Sequence, residues 1–531
     1  MRQAAYPLLA VAMACGTSNS PPGDRVKLYQ DLGSFSVPIS TKVPAAQQYF
    51  DQGMRLTYAF NHGEAIRAFG EASRLDPNCA ICQWGIAYAY GPNINVPMDS
   101  ASGAAALGAI AEARRLAPKA TDRERGFIEA LATRYSDGQT ATRAGLDSAY
   151  AEAMAALVAK LPNDLEAATL RADALMNLRP WDYWAGIGKP RPGTETIVAE
   201  LERTIVADSN HPGACHLYIH AVEATEPARA VGCAERLAGE MPGAGHLVHM
   251  PTHIYVRVGR YAEAIEHNLH ATHADSTFAA SERVSPTYAA LYIPHNHHFL
   301  GFAAMLAGRA DVALPAARRT VETTPIDGVV GVPEFQPMLA FEHTMLQKFG
   351  RWDAIVALPL PDTSVQVGRA VAEYARGTAL AATGRIAEAE ALIPIIARRE
   401  EGPWTPIGKS IVAVARHSLA GEVAARQRKW GEAEKHFRAA MAIEDSFTYM
   451  EPPWWIEPVR HALGALLLEA RNPKAAEQLY REDLARFPMN IWGLVGLEQS
   501  LAAQGKSDPG VRADLAKARS SIDAKIESSH P

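Results

Sequence analysis

The stretch YFDQGMRLTYAFNHGEAIRAFGEASRLDP, residues 49–77, decides the fold. Gly53 is followed twelve positions on by Ala65, then by Phe69, Ala72 and Pro77. Small residues at Gly53 and Ala65 let two antiparallel helices touch, Phe69 fills the space beside them, and Pro77 ends the second helix. The spacing returns at Gly421, Ala433, Phe437 and Ala440, and again at Gly464, Ala476, Tyr480 and Pro488. Partial copies stand at Thr252/Ala264/Ala271, Gly301/Ala313 and Gly377/Ala389. Six copies of one internal spacing predict stacked helix pairs from about Ala45 onward, with no sheet of any size.

These residues resemble the tetratricopeptide repeat (TPR), a helix pair of 34 residues. The resemblance implies an all-α helix-pair solenoid over residues 45–522, the first helix of each pair lining a concave groove. The pieces Leu178–Trp184, Tyr218–Glu223, His249–Tyr255 and Glu451–Trp455 are similar to a subgroup of bacterial TPR proteins without a settled activity. Joints longer than the repeat requires are expected at Gly91–Asp99, Leu178–Thr194, Ala274–Pro294 and Thr323–Pro337. The second of these carries Trp181, Tyr183 and Trp184, which either cap the core or, with Tyr218 and Tyr255, form a pocket wall.

Composition agrees with a large folded chain. Of 531 residues, 48% are apolar and 21% charged, which excludes wholesale disorder. The net charge of −6 with no long basic run argues against nucleic acid as the main partner. No apolar run reaches a membrane span. Residues 1–15 have the pattern of an export signal, and Ala12-Met-Ala-Cys15 resembles a bacterial lipobox. That resemblance implies lipidation at Cys15, a tether over 16–44, and a place in the bacterial cell envelope with membrane contact only through the lipid. Residues 523–531 are expected as a short tail. Of the other cysteines, Cys79-x-x-Cys82 lacks the His of a haem site and a second pair for zinc, leaving packing or a local disulfide.

Histidine placement carries the functional argument. Twelve of 18 histidines fall between His211 and His298, where an even spread would put about three. On a helix, places 0, 3, 4 and 7 share a stripe. His216, His220 and Glu223 form one such stripe, His246, His249 and His253 a second, and His295 with His298 begins a third in the region 211–310. Registered against the repeat, His249 and His298 share one place and His246 matches His295; allowing a one-residue shorter turn at Thr225-Glu226-Pro227, His216 joins the first two and His220 matches His253. The TPR resemblance puts those places on the groove. Seven imidazoles and a carboxylate there suit Zn, Cu or Fe, with Glu223 as ligand or as a tautomer-fixing acceptor. The alternative is a non-enzymatic scaffold whose groove takes a small molecule, a peptide or a protein partner. His267, His270 and His273 are expected on the outer helix in solvent, and His211 and His297 receive no role. Pro251, between His249 and His253, either bends that helix or starts it late.

Other motifs fail. Gly402 to Ser410 has one residue too many between its glycines for a phosphate loop, and His220-Ala-Val-Glu223 reverses the order of di-iron bundles.

Overall fold

A computed structural model of the chain describes residues 26–138, 141–282 and 284–531. Cys15 and the leader before it lie outside the described residues. Among the described residues there is no strand, only an isolated antiparallel bridge between Trp184 and Pro190. No described helix is long and apolar enough to cross a membrane. The chain is an all-α solenoid of TPR-type helix pairs with inserted loops.

The turns show the repeat directly. Seven positions after each small residue the backbone is left-handed: Phe60 (φ 55°), Gly259 (77°), Gly308 (73°), Gly384 (82°), Arg428 (59°) and Arg471 (59°). The next N–H then closes on the carbonyl five residues back, as Asn61 on Leu56 (2.9 Å), Arg309 on Ala304 (2.9 Å) and Asn472 on Leu467 (2.8 Å). This closure satisfies carbonyls that the end of the first helix would leave unpaired. Gly350 (φ 65°) and Gly505 (68°) make the same turn, with Arg351 on Leu346 (2.8 Å) and Lys506 on Leu501 (2.9 Å). They mark two further pairs, in which His343 and Glu498 hold the place of the small residue.

In two of the pairs the aromatic is wedged between glycines. A Cβ on Gly53 would stand 2.5 Å from the Phe69 ring, and one on Gly85, in the next helix, 2.6 Å from it. Tyr480 is held in the same way by Gly464 and Gly496.

Two compact units share the helices. The N-terminal unit holds residues 26–254 and 270–288. Its first stretch, 26–43, has no helix; the Val37 N–H donates to Asp51 Oδ1 of the first pair (3.0 Å) and the Ser40 N–H to Glu124 Oε1 of the helix Asp122–Ala132 (2.7 Å). Two disulfides, Cys79–Cys82 and Cys215–Cys233, close in this unit, so the first pair is a local disulfide and not packing alone. The C-terminal unit holds 255–269 and 289–531, with helix pairs such as Pro406–Arg426 with Trp430–Glu444 and Val459–Glu469 with Pro473–Arg486.

Two local expectations are corrected. The joint expected at Ala274–Pro294 is mostly helical: one helix runs Tyr261–Ser281 and the next Pro286–Ala307, with Pro294 inside it. His267 is not simply solvated; it is half-buried, with its ring 5.5 Å from that of Tyr255, while His270 and His273 are exposed.

Candidate metal centre

Five histidines and one glutamate converge in the N-terminal unit. His216 and His220 come from the helix Pro212–Val222, which opens with Pro212 and is capped by His211 Nδ1 accepting the Ala214 N–H (3.1 Å). Gly213 lies so close to the Tyr58 ring that no side chain fits, and that approach brings His216 Nδ1 to 2.5 Å from the Tyr58 carbonyl. His246 and His249 lie on the helix Gly245–His249, whose start is held by the Tyr288 hydroxyl accepting the His246 N–H (3.3 Å). The helix stops at Met250, and Pro251 begins a new one, Pro251–Arg257, carrying His253. The proline sets a helix boundary because it has no N–H to continue the ladder.

Glu223, at the end of Pro212–Val222, is fully buried and joins the two elements. His220 Nδ1 is 2.9 Å from its Oε1, and His253 Nδ1 is 2.6 Å from its Oε2. Burial alone would raise this carboxyl, but His253 and His220 outweigh it and hold it at about 2, so it is ionised. An ionised carboxylate and a backbone carbonyl only accept. The Nδ1 of His216, His220 and His253 therefore donates in each pair, and the Nε2 of His216 and of His220 presents a lone pair.

Those Nε2 atoms face inward. His216 Nε2 and His220 Nε2 are fully buried and have no hydrogen-bond partner. His249 Nε2 and His253 Nε2 stand 2.9 Å apart. One ligand atom each from His216, His220 and His246 lies within 4.8 Å of the others, and the same holds for His220, Glu223 and His253. Imidazoles on one zinc ion at about 2.0–2.1 Å have nitrogens roughly 3.4 Å apart, so small ring rotations close the first set. Burial, then the neighbouring His220, lowers the His216 pKa; burial also lowers that of His220. Both rings are neutral and free to donate lone pairs.

Two aromatics cover the rings, both in the left-handed backbone region. Phe60 packs 4.4 Å from His216, 5.5 Å from His246 and parallel to His220 at 6.3 Å. Trp181 (φ 65°) meets His220 edge-on at 5.0 Å. A bulky residue held at positive φ costs of order 1 kcal/mol or more, and such strain concentrates at functional sites. The same unit holds a cavity of about 390 Å³, lined in part by Ala59, Asn61, Gly245 and Val248, the chain neighbours of Phe60, His246 and His249, and not by the imidazoles themselves.

The remaining sequence-selected residues make these further contacts. The Trp184 indole donates to the Ala221 carbonyl (2.7 Å), Tyr183 is buried with its carbonyl accepting from Thr194 (2.6 Å), and the Tyr218 hydroxyl donates to Glu202 (2.5 Å). Tyr255, His295 and His298 belong to the C-terminal unit. There Arg260 lies over the Tyr255 ring, His295 packs on Phe299, and His298 meets Phe341 edge-on at 4.4 Å. His211 is a satisfied structural histidine, its Nε2 on Glu166 at 2.8 Å. Phe60, Trp181 and the Tyr58 carbonyl complete the cluster; of these only Trp181 was singled out by the sequence.

The fold is a TPR-type helix repeat, and its N-terminal unit holds a buried cluster of imidazoles joined by one carboxylate. No protein-family model and no curated protein sequence matches the chain. Solved helical-repeat structures do. A human IFIT1 dimer with m7Gppp-AAAA is 13% identical over 91% of each chain, with a TM-score of 0.35. Yeast Tom70 is 10% identical over 89% of this chain and 92% of its own (TM-score 0.31). The P58(IPK) TPR domain is 12% identical over 90% of this chain and 97% of its own (TM-score 0.23).

Proposed function

We infer that the N-terminal unit binds a transition metal ion between the helices Pro212–Val222 and Gly245–His249. His216, His220 and His246 are its ligands, and His249 and His253 extend the donor set beside His220. Glu223 acts as the acceptor that fixes the tautomers of His220 and His253. The observation that carries this reading is the pair of fully buried nitrogens, His216 Nε2 and His220 Nε2, left without a partner in rings whose other nitrogen is tied to an acceptor. A buried lone pair without a donor is costly unless something occupies it, and a cation does so.

An imidazole set suits Zn, Cu or Fe, which would supply Lewis acidity or an activated water if one coordination position stays open. The cavity of about 390 Å³ in the same unit is in the range that accepts a small molecule. In this reading the chain works outside the reducing cytoplasm, at the bacterial cell envelope and lipidated at Cys15; the two disulfides support an oxidising compartment. Elemental analysis and Co(II) titration of the purified full chain test the site. Near-stoichiometric metal in the native protein, lost in His216→Ala and His220→Ala but kept in His270→Ala, is the expected result. Metal-free protein that gives no Co(II) ligand-field bands would sink it.

A further inference from the structure

The C-terminal unit contains a second buried polar cluster, and its centre is the chain's own tail. After the last helix, Pro509–Arg519, residues 520–531 run without helix against residues of several pairs. Asp523 accepts the N–H groups of Ala310 (2.7 Å) and Asp311 (2.9 Å), and Ile526 is buried among Ile491, Trp492 and Leu515. The Ser529 carbonyl accepts from Lys348 Nζ (2.9 Å), and its hydroxyl bonds the Tyr480 hydroxyl (2.6 Å) and the His461 carbonyl (2.9 Å). His530 places Nδ1 3.1 Å from Glu457 Oε1 and Nε2 2.6 Å from Glu422 Oε1, the latter an ion-pair distance without hydrogen-bond alignment.

Charge explains the fit. Lys348, Glu422, Glu457, His461 and Asp483 are all buried. Lys348 Nζ donates to Glu457 Oε1 (3.3 Å) and to His461 Nδ1 (3.1 Å), so His461 carries its proton on Nε2 and gives it to Asp483 (3.0 Å). Without His530, one lysine would face three buried carboxylates. A protonated imidazole narrows the deficit from two charges to one, and uncompensated buried charge is expensive. This wall has an apolar slot, a hydroxyl slot and an anionic slot, each filled by a different tail side chain.

We propose that this wall of the C-terminal unit is a peptide-binding groove for a protein segment of the pattern Ile-x-x-Ser-His, and that residues 526–530 occupy it in cis and hold it closed. The tail is then a tethered competitor that a partner segment carrying the same side chains displaces. The proposal is independent of the metal centre and stands or falls without it.

The test uses the full-length chain and a fluorescein-labelled peptide with the sequence of residues 520–531. His530→Glu sets a carboxylate against Glu422 and Glu457 and should eject the tail. Because a tethered segment competes at millimolar effective concentration, the labelled peptide should bind His530→Glu at least about tenfold more tightly than wild type. Adding Glu422→Gln and Glu457→Gln should remove that binding, and a peptide with Glu in place of His530 should not bind at all. Circular dichroism monitors folding; should His530→Glu unfold, Ser529→Ala with His530→Ala replaces it. Equal peptide binding by folded variant and wild type overturns the proposal, as does binding indifferent to the peptide's histidine. Unfolding of both tail variants also overturns it, because the tail is then a structural strut and not a displaceable ligand.

Discussion

Glu223→Gln isolates the role of the carboxylate that joins His220 to His253. The wild-type side chain accepts two imidazole N–H bonds, at 2.9 and 2.6 Å, one on each oxygen. An amide of the same shape keeps one acceptor and turns the other into a donor. One imidazole must then face an N–H with its own N–H, or shift its proton to Nε2 and lose its inward lone pair. Losing one charge-assisted bond costs about 1.5–3 kcal/mol. Since about 1.4 kcal/mol is tenfold, metal affinity should fall roughly ten- to hundredfold, the range expected when the acceptor behind a ligating histidine is removed. Competition against a chromophoric chelator at pH 7 reads this directly, with the melting of the metal-free protein as the folding control. Affinity within about twofold of wild type in a folded variant would refute the reasoning that Glu223 orients two ligands.

His249→Ala with His253→Ala should lower metal content while leaving far-UV circular dichroism nearly unchanged; His270→Ala with His273→Ala, both exposed, should keep the ion. Phe60→Gly removes the left-handed strain, about 1 kcal/mol, but uncovers three imidazoles, so thermal stability should fall by a net ~2–4 kcal/mol and a chelator should strip metal faster. Gly496→Val drives a side chain into the Tyr480 ring, which Gly464 blocks from behind, and should cost about 1–3 kcal/mol or more. Gly431→Ala, with open space around it, should be neutral or stabilising in the same denaturant titration. Burial disfavours the charged His530, but Glu422 and Glu457 outweigh it and raise its pKa to about 9. A raised folded value means the contribution, about 3 kcal/mol, is complete below pH ~6.5 and fades as pH rises through 9. Burial raises the Glu444 pKa to about 8, so both proteins lose some stability as pH rises towards that value; wild type should lose more than His530→Ala over the window up to about 9.

The repeat was legible because its signal is steric. Two helices cross closely only where a small residue permits, so Gly53, Gly421 and Gly464 announce their pairs, and Thr252, Gly301 and Gly377 do so more faintly. The two pairs marked by Gly350 and Gly505 were missed because His343 and Glu498 fill the crossing position, and only the turn seven residues later betrays them. The long joint expected before Pro294 failed for a related reason. A proline inside a helix forfeits one backbone bond and clashes with the preceding turn, and surrounding packing can outweigh that loss. Pro294, Pro315 and Pro394 all lie inside helices here.

The centre divides along the same line between local spacing and distant contact. Helical periodicity brings out His216 with His220 and His246 with His249, because neighbours on a stripe are neighbours in space. It cannot reveal what fixes the tautomer of an imidazole, namely the acceptor behind its other nitrogen. For His216 that acceptor is the Tyr58 carbonyl, 158 residues away and without a side-chain signature of any kind. Phe60 is equally silent: in sequence it is one more apolar residue at a turn where other copies carry glycine or arginine. Only when its ring is found against His216, His220 and His246 does the cost of a left-handed phenylalanine acquire a reason. The departure of one repeat from the turn residue its siblings use is therefore the mark of the site that periodicity alone could not supply. In this chain that mark stands at residue 60, well before the His-rich segment to which composition draws attention.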